Sequence, residues 1–402
     1  MEMCSLYNLW NTAFERFFCP QTGLFYEFVT DDSAKAWDNL PTALEIKNSY
    51  PNPCGWGTGM EDSVMNGTVA IDALLFYGKN EDIQKLVYSL ADGVLKCGEA
   101  GESDGFVARS VLPYDGKSHY IESSRDQYTH FVYSLTRYYF SDHCEKNIKE
   151  RIRQAIVAVA EKCKHDVTAH NDFNMLREDK SVGLVNKMWG DIGAHEYLRL
   201  PMFYLAAYKI SGNDEYFSLY RKYVDEAIEN SLAFNEKASR LYCSLQMMCS
   251  LKFVYDYDED EKVKEKLLPL MKRLALYGED KAVNNSIEFS KKEHRSELDY
   301  AFKSWRQVNM RDGGYFNGYR YLNPAQSELR ENVAFYPVRE VGEGAILASM
   351  CPEKRVSSHL INAVLTMANA IDVKKQSSVY PLLYLPCAYA LCIENIDKTA
   401  ID

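Results

Sequence analysis

One pattern recurs along this chain: a helix-length stretch apolar on nearly every face, a short polar turn, then a helix-length stretch apolar on one face and charged on the other. It appears first where a glycine-rich lead from Gly55 runs into a helix to about Tyr77, breaks at Gly78 to Asn80, and returns from Glu81 to Lys96. Tyr128 to Phe140 breaks at Ser141 to His143 and returns as Glu145 to Lys164. His195 to Ile210 breaks at Ser211 to Asp214 and returns to Phe234. Leu241 to Tyr255 breaks at the acidic Asp256 to Asp260 and returns to Tyr277, and Gly344 to Met350 breaks at Cys351 to Lys354 and returns to Ile371. A helix apolar all round must be covered on all sides, whereas its amphipathic companion needs cover on one. The alternation therefore implies an inner layer of helices and an outer, wetted layer. Pairing the last helix, Tyr380 to Ile393, with the first, Leu6 to Phe18, adds a sixth hairpin and closes a ring. The expected fold is all-α, an (α/α)6 toroid in one domain over residues 1–402. Its inner helices should begin near Met60, Arg125, His195, Ala238, Val341 and Tyr380.

With 402 residues, 47% of them hydrophobic and 26% charged, the chain has the apolar material for such a core, although length alone also allows two or three domains. A net charge of −11 argues against nucleic acid, because the densest basic run, Lys291 to Arg295, is short and broken. The 11 cysteines are an odd count without a CxxC pair. Several (Cys163, Cys243, Cys249, Cys387, Cys392) fall in apolar helical stretches, which predicts reduced, buried thiols. No run of ~18 apolar residues occurs, and the N-terminus lacks a basic region followed by an apolar one. No membrane association is expected, and the cytoplasm is the expected location, or the periplasm if a leader has been removed. HExxH, paired His/Cys spacings, an aspartate-rich calcium loop and GxSxG are all missing, so no metal, cofactor or serine nucleophile elbow is expected. The glycines of Gly55-Trp-Gly-Thr-Gly follow Pro51-Asn-Pro-Cys rather than a strand, which weakens a dinucleotide-binding reading.

The connectors leading from an outer helix to the next inner one, Gly98 to Ser123, Asp166 to Ala194 and Gly278 to Val341, are long and rich in Gly, Asp, Trp and Arg. Loops beyond ~12 to 15 residues in a compact domain are usually functional, and these converge on one rim. In the first of them, Gly105 to Val111 and Ser118 to Glu122 flank a Pro113-Tyr-Asp-Gly116 turn and predict a small β-hairpin. Acidic groups fall at inner-helix starts or just before them: Glu61 and Asp62, Asp126, Asp191 with Glu196, and Glu340 with Glu343. Any one of these is more often a helix-capping residue than a catalytic one. Here they stand among aromatics and cations. Asp126 follows Ser123 and Ser124, either of which can serve as N-cap, with Arg125, Tyr128 and His130 beside it; Asp191 lies between Trp189 and His195. Cleavage of a glycosidic bond uses one carboxyl group to protonate the leaving oxygen and commonly a second to activate water or attack the sugar. The 29 tyrosines suit a carbohydrate, although most are accounted for by helix seams. Trp56, Trp189 and Trp305 belong to rim loops suited to stacking on sugar, while Trp10 and Trp37 read as core. Arg311 lies in Met310-Arg-Asp-Gly-Gly-Tyr-Phe-Asn-Gly-Tyr, a loop whose glycines permit close approach of a ligand.

Arg125-Asp-Gln-Tyr-Thr-His-Phe131 at one helix start, and His195-Glu-Tyr-Leu-Arg-Leu-Pro201 leading to the Ser211-Gly-Asn-Asp214 turn at the next, resemble the six-hairpin glycosidases. Within that superfamily the chain most resembles the unsaturated glucuronyl and rhamnogalacturonyl hydrolases, over about residues 55 to 235. The resemblance implies an oligosaccharide substrate ending in a 4,5-unsaturated uronic acid. It also implies a catalytic Asp that protonates the double bond and directs water to the adjacent carbon. Asp126 matches that Asp by position, with Arg125 where the family often has His. The family's second Asp falls near His195, with Glu196 beside it and Asp191 four residues earlier. To act as an acid Asp126 needs an elevated pKa, so Asp62 or Glu196 is expected to face it. Arg109, Arg125 or Arg199 would clamp the uronate. Trp56, Asp62, Asp126, Trp189, His195 and Arg311 are expected to line one concave site, with Glu61, Arg109, Arg125 and His130 among the substrate contacts. Alternatives on the same scaffold are an epimerase of the N-acylglucosamine 2-epimerase type using His130 and His195 as bases, a polysaccharide lyase, and a toroid that only binds glycan.

Overall fold

The computed structural model describes residues 2–27, 29, 35–38, 40–49, 53–56, 58–77, 80–292, 335–375 and 380–395. These are mostly helical. The α-helices are α1 (Glu2–Phe17), α2 (Ala43–Lys47), α3 (Ser63–Leu74), α4 (Glu81–Glu99), α5 (Arg125–Phe140), α6 (Lys146–Asp166), α7 (Arg199–Ser211), α8 (Asp214–Leu232), α9 (Leu241–Tyr257), α10 (Glu261–Ser290), α11 (Phe335–Ser349), α12 (Ser358–Ala370) and α13 (Tyr384–Glu394). Two antiparallel ribbons interrupt them, β1 (Phe18–Cys19) with β2 (Leu24–Phe25) and β3 (Asn174–Leu176) with β4 (Val182–Lys187).

The alternation of burial follows the alternation of sequence. In α3 every residue but Asp72 is buried, and α5, α7 and α9 are buried almost all round. In α4, α6 and α8 only one stripe is. α3 packs on α5, α5 on α7, α7 on α9, α9 on α11 and α11 on α13, and α13 packs back on α3. The amphipathic helices pack on these in turn: α4 lies on α3, α6 on α5 and α7, α8 on α7, α10 on α9 and α11, and α12 on α11 and α13. α1 lies against α12 and α13. Buried apolar side chains from Leu6 to Cys392 form one contiguous cluster. None of the cysteines is in a disulfide, and only Cys4 is exposed. Among the described residues no helix is long and apolar enough to cross a membrane.

Helix boundaries depart from the sequence expectation where tertiary packing decides them. α10 does not stop at Tyr277 but runs on to Ser290. Gly278 acts as a point of helix contact rather than a terminator: a Cβ there would sit 2.7 Å from the carbonyl oxygen of Gly344, and one on Gly344 would sit 2.5 Å from that of Gly278. α11 starts at Phe335, so Glu340 and Glu343 lie in its body rather than at its start. Ahead of α7 comes a single 3-10 turn, Ala194–Glu196, and Pro201 falls in the first turn of α7, where its missing N–H is not needed.

The β-hairpin expected around Pro113 to Gly116 does not form. The turn is present, with Leu112 N–H donating to Ser118 O at 2.9 Å, but Phe106 to Leu112 is buried and bonds to α3 and α4 rather than along a second strand. Ala108 N–H reaches Cys97 O at 2.8 Å, and Arg109 O accepts from Val64 N–H at 3.3 Å, which lays this segment across the start of α3. The hairpin belongs to the next connector, as β3 and β4. It is fastened by fully buried Glu122, whose carboxylate accepts from Arg177 and from the Leu184 and Val185 N–H groups.

Candidate functional site

A cavity of about 990 Å³ opens among the N-terminal ends of α3, α5, α9 and α11, the turn before α7 and the C-terminal end of α10. Helix N-termini carry partial positive charge, so the cavity favours anionic groups. The chain supplies them at the start of α3. Asp62 is the N-cap residue of α3, yet its carboxylate caps no helix N–H. It turns away, accepting from Gln127 Nε2 at 2.9 Å and lying 3.7 Å from Arg109 Nη1. Glu61 precedes it, and buried Glu27, just after β2, accepts from the Asp62 backbone N–H.

Like charges so close cannot all ionise. Burial pushes the Glu61 carboxyl up to about 8, with the Asp62 charge adding and Arg109 and Arg339 opposing. Burial also raises Asp62 against the pull of the same two arginines, and burial with the charges of Glu61 and Asp62 holds Glu27 well above the usual carboxyl range. The group titrates as a unit and holds a proton at neutral pH.

Asp126 behaves oppositely. Burial pushes its carboxyl up, but Arg199, Arg125 and the Gln246 amide together outweigh burial and hold it below its ordinary value. Its 34% side-chain exposure is to the cavity it lines. Arg199, fully buried, donates from Nη1 to Asp126 Oδ1 at 3.1 Å and from Nη2 to Gln246 Oε1 at 2.7 Å, so one guanidinium ties α5, α7 and α9 together. Arg125 pairs with Glu196 at 2.8 Å and donates to Lys187 O at 3.1 Å. Glu196 also accepts from Gly193 N–H at 2.8 Å and lies 3.6 Å from His195 Nε2. Burial, with Arg199 adding, pushes His195 down to about 4 and leaves its imidazole neutral. The expectation that Asp126 carries the elevated pKa is therefore corrected. The proton sits with Glu61 and its neighbours at α3, because Arg199, which sequence offered as a substrate clamp, is committed to Asp126.

Across the cavity Arg339 bonds Glu343 at 2.7 Å with its guanidinium over the Tyr242 ring, and Asn285 donates to Glu340 at 2.6 Å. Arg240 and Lys292 stand exposed at the rim and make no ion pair with any described residue.

Of the residues singled out by sequence, Trp56, Glu61, Asp62, Arg109, Arg125, Asp126, His195 and Glu196 line this cavity. Asp191 does not; it is exposed outside it. Trp189 is not a platform for sugar either, being buried edge-on between Tyr197 and Tyr223, with ring centroids 5.4 and 4.8 Å away. His130 lies one turn along α5 from Asp126, buried, and faces a different cavity. Arg311 and Trp305 lie outside the described residues. Sequence reading missed Glu27, Gln246, Tyr242 and Arg339. Tyr242 and Gln246 had a signal, a hydrogen-bonding pair at i and i+4 near the start of a largely buried helix; Glu27, in an irregular segment, had none. Among the described residues no group of three or more His, Cys, Asp or Glu side chains is arranged to hold a metal ion. No protein-family model matches the chain, and no curated protein matches it either.

Proposed function

We propose that this chain is a glycoside hydrolase built as an (α/α)6 toroid, acting on oligosaccharides that end in a uronic acid, an unsaturated one first among them. The toroid is supported by the succession of helix contacts in which α13 returns to α3. The function rests on one feature: a single roomy cavity is lined both by Glu61, whose carboxyl burial and the Asp62 charge push up to about 8, and by Asp126, whose carboxyl is held below its ordinary value by Arg199 and Arg125 in spite of burial. Environments that push two carboxyl groups apart in this way assign acid and base. Glu61 would protonate the glycosidic oxygen, or the double-bond carbon of an unsaturated uronate. Ionised Asp126 would orient water and take its proton. The uronate carboxylate suits Arg240 and Lys292 at the rim and the positive helix ends. Trp56, with the Arg109 guanidinium 5.9 Å from its ring centroid, offers an apolar face for sugar C–H groups.

The epimerase alternative loses support because His130 and His195 do not share the cavity. A lyase using Tyr242 as base is disfavoured because burial pushes that phenol up to about 12. The test is turnover of unsaturated uronate disaccharides, followed as loss of the double-bond absorbance, and of saturated uronate glycosides, followed as released reducing ends. Glu61→Gln should lower the rate by ~10²- to 10⁴-fold while leaving substrate binding in place. Lack of turnover of either substrate by the intact protein, or an unimpaired Glu61→Gln, would remove this reading.

A further inference from the structure

A second cavity, of about 260 Å³, lies further along the same helices, between α3, α5, α9, α11 and α13. It plays no part in the chemistry above. α5 runs through both: Asp126 lines the first, and His130, Tyr133 and Arg137 line the second. Positions i, i+3 and i+7 share one helix face, and seven residues span ~10 Å, so these three groups form a polar stripe of that length.

The two ends of the stripe differ. His130 is 2% exposed, and neither ring nitrogen has a hydrogen-bond partner. A buried imidazole without partners is costly and rare, and this one borders empty space. Burial pushes it down to about 4, so it is neutral and presents one donor and one acceptor. At the other end Arg137 bonds Asp72 through Nη1 at 2.6 Å, with its guanidinium over the rings of Tyr133 and Phe76 at 5.1 and 5.7 Å. Its Nε and Nη2 have no acceptor among the described residues; Lys252, also in the lining, is already paired with Asp256 at 2.5 Å. Asp72 is already engaged by Arg137 and Ser134, so what this end has for an anion is the remaining Arg137 N–H groups. Between the ends the wall is apolar, formed by Val69, Leu245, Cys249, Ile346 and Leu391.

We propose that this cavity is a second binding site, for a slender amphiphilic monocarboxylic acid whose carboxylate meets Arg137, whose apolar body lies along the Leu245 and Ile346 wall, and whose far hydroxyl bonds His130. The volume holds roughly nine water-sized groups, room for one aromatic ring with a short acid chain. A hydroxyl can donate to the bare ring nitrogen or accept from the ring N–H, and so gives one of the two partnerless nitrogens of His130 a partner.

The test is calorimetric titration of the full chain with three probes: para-hydroxyphenylpropanoate, phenylpropanoate, and para-hydroxyphenylpropanamide. The hydroxy acid should bind. Removing its hydroxyl should weaken binding about tenfold, and replacing the carboxylate by an amide should do so by a similar factor. Ile346→Trp fills the cavity and should abolish binding of all three; His130→Phe should erase the difference between hydroxy and deoxy acids. Thermal scans establish that each variant is folded. If neither variant folds, imidazole NMR of the unaltered protein decides: the hydroxy acid should shift one buried histidine, and the deoxy acid should shift it far less. Absence of binding at millimolar probe, equal affinity with and without the hydroxyl, unchanged binding by folded Ile346→Trp, or unmoved histidine signals would each overturn the proposal. None of these outcomes depends on glycoside turnover, so the two proposals stand or fall separately.

Discussion

Glu61 and Asp126 sit at the starts of neighbouring helices, α3 and α5, line one cavity and yet hold protons on opposite sides of neutrality. Burial pushes both carboxyl groups up; at Glu61 the Asp62 charge adds to it against Arg109 and Arg339, while at Asp126 Arg199 and Arg125 outweigh it. Activity that needs protonated Glu61 should fall as pH rises through about 8, and a pH–rate profile checks this. The same group affects stability. Its pKa is raised on folding, so the folded chain keeps a proton that the unfolded chain releases. Its contribution is fully present below the ordinary value of 4.5 and is lost as pH rises through about 8. Glu61→Gln, neutral at every pH, should therefore raise the melting temperature more at about pH 9 than at about pH 5; an equal change at both would contradict the assignment. Arg199→Met should be costly in a different way, stranding Asp126 and the Gln246 amide beside a buried apolar chain. A loss of about 3 kcal/mol is expected in urea unfolding.

At the scale of elements, the crossing of α10 and α11 is set by two glycines in mutual backbone contact. Neither has a positive φ, so conformational freedom is not what selects them. Close approach is. Gly278→Val would place a branched side chain against the Gly344 carbonyl, where only backbone could yield, and should destabilise by about 2 kcal/mol or more in denaturant unfolding. The effect should reach the cavity, because α11 carries Arg339 and Glu343 and α10 carries Asn285. A stability change within about 0.5 kcal/mol, the range of an ordinary surface substitution, would show that the helices do not meet there.

For the whole molecule, the important contact is between distant parts of the chain: α13 packs on α3 and α11, and α1 packs on α12 and α13. A chain cut before Tyr380 would leave the apolar faces of α3 and α11 without cover. Loss of the cooperative thermal transition and binding of a hydrophobic dye are expected. If the truncated chain melted as sharply as the full one, the α13 contacts would not be holding the ends together.

The order of helices, the turns between them and the alternation of wholly buried helices with helices buried on one face were legible in the sequence because they follow from the spacing of apolar residues over one or two helical turns. That Asp62, Asp126 and Glu196 line one cavity was legible for the same reason: they stand at or just before the starts of helices, and helices laid side by side bring their starts together. Local pattern could not say that Gly278 is a crossing point, that Trp189 is wedged between two tyrosines, or that His130 looks into the second cavity rather than the first. Nor could it say which carboxyl group keeps its proton. That depends on charge separated through space rather than along the chain. Arg199 reaches Asp126 from 73 residues away, while Glu27 comes to Glu61 out of a segment without periodicity, and only the folded chain places either of them.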